Sequence, residues 1–185
     1  MQIDVENDSP EALAQKLAGF SAVICATGFS PLNGFDIAGP YKTDFKGTAA
    51  LIDATVKAGV AKMVLVTSLL TDGAAAGQVF NRNYLLLNVF GLILYWKLQA
   101  EKHLMRQSEL NWTIVRPGGL REAPREGNIV YGKANTLFGG ALSRDFVADV
   151  CVAALSSKAA ANKIVEIVAL PDAPKKTFEQ GFAST

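Results

Sequence analysis

Four short apolar runs punctuate the chain, at residues 22–27 ("AVICAT"), 62–68 ("KMVLVTS"), 112–117 ("WTIVRP") and 163–169 ("KIVEIVA"). The first two are apolar at nearly every position, the pattern of strands covered on both faces of a parallel sheet. Between them the apolar period changes to that of a helix. Residues 10–17 follow Ser9, a favourable N-cap, with Pro10 at the first helical position. Residues 41–57 carry Phe45, Ala49, Ile52 and Val56 at helical spacing and end at Gly59, which fits a C-cap glycine. A long helical region is predicted over residues 79–107, bent near Gly91. Ser143 is placed to cap a helix whose apolar face includes Phe146, Val147, Val150 and Ala154. The tail from Pro171 reads as a loop and a short terminal helix.

Strands alternating with helices imply βαβ units with right-handed crossovers. The expected architecture is one α/β domain over residues 1–185: an open, mainly parallel sheet with helices on both faces. The most apolar stretch, residues 84–96 ("YLLLNVFGLILYW"), is too short to span a bilayer core of about 30 Å as a helix. Its length predicts a buried helix. A helix lying on a membrane surface or against a protein partner is the alternative.

Composition narrows the field. Half of the 185 residues are hydrophobic and the formal net charge is +1, so a packed core is expected and charge-steered nucleic-acid binding is not. Two cysteines, Cys25 and Cys151, are too few for a disulfide framework and read as small core residues. A single histidine, His103, without a Cys/His cluster gives no zinc-site pattern. The first ten residues have neither the basic start nor the apolar stretch of a signal or transit peptide.

In open parallel sheets, ligands lie beyond the carboxyl ends of the strands. Those ends carry Ala26–Thr27–Gly28, Thr67–Ser68 and Pro117–Gly118–Gly119. Small residues there let a flat ligand approach the backbone closely, or simply make tight turns. Ser68 and Lys97 add a hydroxyl and an ammonium that can face one pocket. Arg116 reads as either structural or anion-facing. Arg144 and Asp145 read as helix-start contacts, and His103 as a cation at a helix end.

The segments "AVICATGF", "GFDI", "GTAALIDA", "VLVTSLL", "KLQAEKHL", "WTIVRPGGL", "SRDFVADV" and "IVEIVA", taken together in order, carry a family resemblance. The chain resembles the atypical short-chain dehydrogenase/reductases of the NmrA-like NAD(P)-binding group, and most of all their plant and algal plastid members. The resemblance implies a Rossmann-like, three-layer α/β/α fold, NADP(H) or NAD(H) as cofactor, oxidoreductase ancestry and a plastid location, in the stroma or at the thylakoid. It implies that Asp4 and Val5 meet the adenine end, and that Ala26, Thr27 and Gly28 lie beside the adenosine ribose and diphosphate. It places Ser68 at the active-site serine position, with Thr67 among the cofactor-binding residues, Lys97 on the nicotinamide ribose, and Pro117, Gly118 and Gly119 beside the nicotinamide.

Two departures from the family pattern shape the expectation. First, the family opens with a strand, a GATGxTG loop, a helix and a second strand, whereas this chain opens about where the third strand is under way. The domain is therefore expected to be N-terminally truncated, without its phosphate loop, and to expose the apolar strand at residues 22–27 as a sheet edge open to a protein partner. "ATGFSPLNG", with Gly28 and Gly34, does not match G-x-G-x-x-G. Second, the family's tyrosine four residues before the lysine is Ile93 here. At about 100° per residue, Ile93 shares the face of Lys97, while Tyr95 lies roughly 160° away. The expected phenol acid is missing. Two functions follow as expectations: a nucleotide-binding reductase of atypical catalysis, resting on Ser68 and Lys97, or a non-catalytic interaction module of a plastid complex.

Overall fold

The computed structural model describes residues 2–30, 36–89 and 91–185. Gly34 and the first two residues of "GFDI" lie outside these, as do Met1 and Phe90. In chain order the strands are β1 (Ala22–Cys25), β2 (Lys62–Val66), β3 (Asn111–Pro117), β4 (Gly119–Arg121), β5 (Asn128–Gly132), β6 (Ala141–Ser143) and β7 (Lys163–Leu170). The helices are α1 (Pro10–Leu17), α2 (Thr48–Lys57), α3 (Arg82–Val89), α4 (Ile93–Met105), α5 (Arg144–Ser156) and α6 (Phe178–Ala183). The main sheet runs β1-β2-β3-β7-β5. Its first four strands are parallel and β5 is antiparallel to β7. This is the expected Rossmann-like arrangement.

The sheet is covered on both faces because its central strands alternate between two apolar clusters. Met63 and Leu65 of β2 pack with Leu13, Ile52 and Leu104, whereas Val64, the residue between them, packs with Val150 and Val165. Ser9 caps α1 by accepting the Ala12 N–H at 3.2 Å. Gly59 sits past α2 at φ +69°, the left-handed position that favours glycine. β1 ends the strand order, and its Ile24 is 39% exposed.

Several local expectations change. The helix expected over residues 41–57 is a π-helical stretch, Tyr41–Gly47, running into α2. The region 79–107 is two helices. They break at Gly91 (φ +87°) and Leu92 (φ +60°), where a Cβ on residue 91 would lie 2.5 Å from the Ile37 carbonyl oxygen. The run 84–96 is not a buried helix: no described residue of α3 is buried, and Ile93 and Leu94 alone among the run's described residues are enclosed. The reason is placement, since α3 flanks the end of the sheet instead of lying on it. Ser143 stands at the N-cap of α5, but its buried hydroxyl finds no partner among the described residues. The short parallel pair β4–β6 and the antiparallel β5 gave no clear period in the sequence.

Candidate functional site

The carboxyl ends of β1, β2 and β3 open into one cavity of about 690 Å³. Ala26, Thr27, Gly28, Thr67, Ser68, Lys97, Pro117, Gly118 and Gly119 all line it. The structure therefore brings together nine of the residues singled out in the sequence. Asp4 and Val5 are not among the lining residues. Asp4 instead closes its own turn, its carboxylate accepting the N–H groups of Glu6 and Asn7 at 3.0 and 3.2 Å. The Val5 carbonyl is pressed against the helix at Gly47, 2.8 Å from where a Cβ on that residue would lie.

The ammonium of Lys97 does not project into bulk water. It donates to Asp44 Oδ1 at 2.7 Å, and the Asp44 side chain is fully enclosed. The Phe29 N–H also donates to Asp44, at 3.3 Å. The π-helical stretch, the loop after β1 and α4 thus meet at one carboxylate. A Cβ on Gly28 would lie 3.1 Å from Lys97 Nζ and 3.4 Å from Asp44 Oδ1, so glycine keeps this junction open. Burial raises the pKa of Asp44 above the usual carboxylate value, against the lowering effects of Lys97 and the Phe29 N–H. Nothing in the sequence singled out Asp44, because an aspartate between lysines and a threonine reads as a solvated surface residue.

Ile93, one turn before Lys97 on α4, is 5% exposed and lines the cavity. Tyr95 is 45% exposed and lies edge-on to Trp96 at 4.9 Å, outside the cavity lining. Tyr41 packs on Trp96 from the other side, and Tyr84 packs over Gly73. Among the described residues, no tyrosine lines the cavity.

Beneath the cavity floor, Arg116 is a buried strut rather than an anion-facing group. It holds Glu101 with two bonds, at 3.0 and 2.6 Å, and reaches Glu166 at 3.3 Å. Burial opposes its charge, but the two carboxylates outweigh burial and raise its pKa. Glu101 also accepts from the hydroxyl of Thr67 at 2.6 Å. Glu166 accepts the N–H groups of Asn135, Thr136 and Leu137 at 2.8, 3.0 and 2.8 Å. The network therefore fixes both the end of β2 and the loop that leads to Phe138. Arg144 lines the outer cavity with its guanidinium bonded to Glu122. His103 bonds Asp53 at 2.6 Å, remote from the cavity.

Residues 1–158 match the NAD(P)H-binding family. The chain belongs to that family. It is 52% identical over 178 residues to an uncharacterised chloroplastic protein of Arabidopsis thaliana, covering 96% of this chain and 62% of that one. It is 35% identical over 184 residues to the chloroplastic protein TIC 62 of the same plant, covering 96% of this chain and 28% of that one. The chain thus spans less than two thirds of either relative. Its fold matches that of the oxidoreductase ylbE from Lactococcus lactis, with a TM-score of 0.80 at 21% identity, over 100% of this chain and 75% of the other. It also matches a short-chain dehydrogenase/reductase from Veillonella parvula in complex with NADP, with a TM-score of 0.65 at 16% identity, over 96% and 75%.

The residues of the cavity suit one half of such a dinucleotide. Lys97 and Ser68 offer polar groups of the kind a ribose hydroxyl needs, and the Pro117–Gly119 turn offers bare backbone, with a Cβ on Gly118 lying 2.6 Å from the Gly140 carbonyl oxygen. For the diphosphate, the described residues show no glycine-rich turn leading directly into a helix N-terminus at the cavity.

Proposed function

We propose that this chain carries the nicotinamide-side half of an NAD(P)H-dependent reductase site, in a plastid protein like its chloroplastic relatives, and that the site works without a phenol acid. The observation that carries this reading is the buried Asp44 holding Lys97 Nζ at 2.7 Å, in the same cavity as Ser68 and the Pro117–Gly119 turn. When bound, the nicotinamide would supply a hydride. Lys97 would bind ribose hydroxyls, and Asp44 would keep the ammonium aimed at them. Ser68, or a water beside it, would serve any proton demand at the acceptor, because Ile93 has no proton to give.

The test is a titration of the chain with NADPH, read by cofactor fluorescence and by melting temperature. Saturation below millimolar NADPH is expected. Lys97→Met should weaken it roughly tenfold to a hundredfold, the loss of one charge-assisted hydrogen bond of about 1.5–3 kcal/mol. The open edge of β1 favours a second reading, a non-catalytic interaction module that adds a partner's strand beside Ile24, with the exposed face of α3 as a further contact. Unchanged fluorescence and melting at millimolar NADPH would leave that reading standing and sink the first.

A further inference from the structure

The cavity has two unlike walls. The inner wall, at the strand ends, is polar and carries Thr27, Thr67, Ser68 and Lys97. The outer wall is made of Leu86 and Leu87 from α3, Ile93 and Leu94 from α4, and Leu120 and Phe138 from the loops. The polar side chains on that outer side are Asn83 and Arg144, two against six apolar ones, and Arg144 gives its Nε–H to Glu122. A sugar or nucleotide sugar would bring many hydroxyls to a wall with few free partners, and each unpaired polar group costs free energy on burial.

Two glycines facing this wall are not explained by packing. A Cβ on Gly139 would meet nothing within 4 Å, and one on Gly119 would meet only ordinary contacts at 3.6 and 3.7 Å. Neither residue has the positive φ that demands glycine. Bare backbone at these two exposed positions leaves open space in the outer half of the cavity, a slot whose lining also includes the leucines. α3 gives the complementary observation. It is eight residues long and buries none of its described side chains, and Leu86, 54% exposed, borders the cavity. Tyr84 and Leu87 of this helix are half-buried against Leu69, Leu70 and Leu94, so Leu86 is the α3 leucine that keeps most of its apolar surface free beside the cavity.

From the unlike walls, the unexplained glycines and the exposed Leu86, we infer that the outer half of the cavity binds a flat, lipophilic ring compound with few hydrogen-bonding groups. The compound lies between the Gly119 and Gly139 backbone and the leucines of α3. As a statement about substrate class, this rests on the reductase reading above. As a statement about binding, it stands on the slot alone.

The test uses Nile red, a neutral fused-ring dye, titrated into the chain with and without NADPH. Variants Gly139→Leu and Leu86→Asp are compared with the parent, and UDP-glucose is offered as a polar competitor. Saturable dye binding is expected, weakened at least tenfold by Gly139→Leu at unchanged melting temperature, weakened likewise by Leu86→Asp, and untouched by UDP-glucose. Absence of saturation, equal binding by both variants, or displacement by UDP-glucose overturns the inference. Dye binding that survives while NADPH fails to bind removes the reductase reading and keeps the slot. NADPH binding without dye binding does the reverse.

Discussion

Lys97 and Glu101 stand one turn apart on the same face of α4, and both are bound to an oppositely charged partner. Their surroundings differ. Glu101 is enclosed on every side by Arg116, Thr67 and Thr71, so its charge is spent on holding β2, β3 and α4 together. Lys97 has Asp44 behind it and the cavity in front, and its side chain keeps 14% exposure. A charge satisfied on all sides is structural. A charge satisfied on one side, with open space on the other, retains hydrogen-bonding capacity for a ligand.

The largest break in this comparison is Arg116→Met. It leaves Glu101 and Glu166 buried without their cation, a situation that costs about 3–5 kcal/mol. For a chain of this size that lowers the melting temperature by roughly 6–20 °C. A thermal melt showing a change of only a degree or two would mean that the network is not the strut described here.

Asp44→Asn should act less on stability and more on the site. The raised pKa of Asp44 means that its protonated form favours folding. That contribution is full below the ordinary carboxylate pKa of about 4 and is lost as pH rises through the raised value. Asparagine removes the titration. The stability of the parent relative to Asp44→Asn should therefore fall as pH rises through that window, while NADPH binding at neutral pH is weaker in the variant. Melts of both proteins across acidic to neutral pH check the slope, and parallel curves would contradict it.

The smallest expected effect is at Lys62, a buried cation at the far end of β2 that, among the described residues, bonds only Asn111 Oδ1 at 2.8 Å and Thr113 Oγ1 at 3.0 Å. Burial lowers its pKa, so folding penalises the charged form, and the penalty is relieved as pH rises from the lowered value towards the unfolded one of about 10.4. Lys62→Met should raise stability at neutral pH by about 1 kcal/mol or less, because Asn111 is exposed to water and the Thr113 hydroxyl keeps its bond to the Ala160 carbonyl. Denaturant unfolding of the two proteins at neutral pH gives the sign, and a clear loss would show that the ammonium is a net stabiliser.

Much of this molecule was legible in its residues because the signals were local. Runs such as "AVICAT" and "KMVLVTS" can satisfy their apolar surface only inside a covered sheet, and Ser9–Pro10 and Gly59 mark helix ends by their own chemistry. The phenol question was also local, since residue spacing alone separates Ile93 from Tyr95 on the helix. The failures were all matters of what lies opposite. The run 84–96 was apolar enough to be core, yet α3 borders a cavity instead of a sheet. Nothing local marked Asp44, which three separate segments enclose, and Arg116 had two open roles until Glu101 and Glu166 arrived from α4 and β7. The sequence by itself determined the strand–helix alternation, the parallel sheet and the location of the cavity at the strand ends, because periodicity and glycine chemistry act over a few residues. Only the tertiary structure decided which charges are struts and which face the cavity, because burial and partnership depend on residues tens of positions away in the chain.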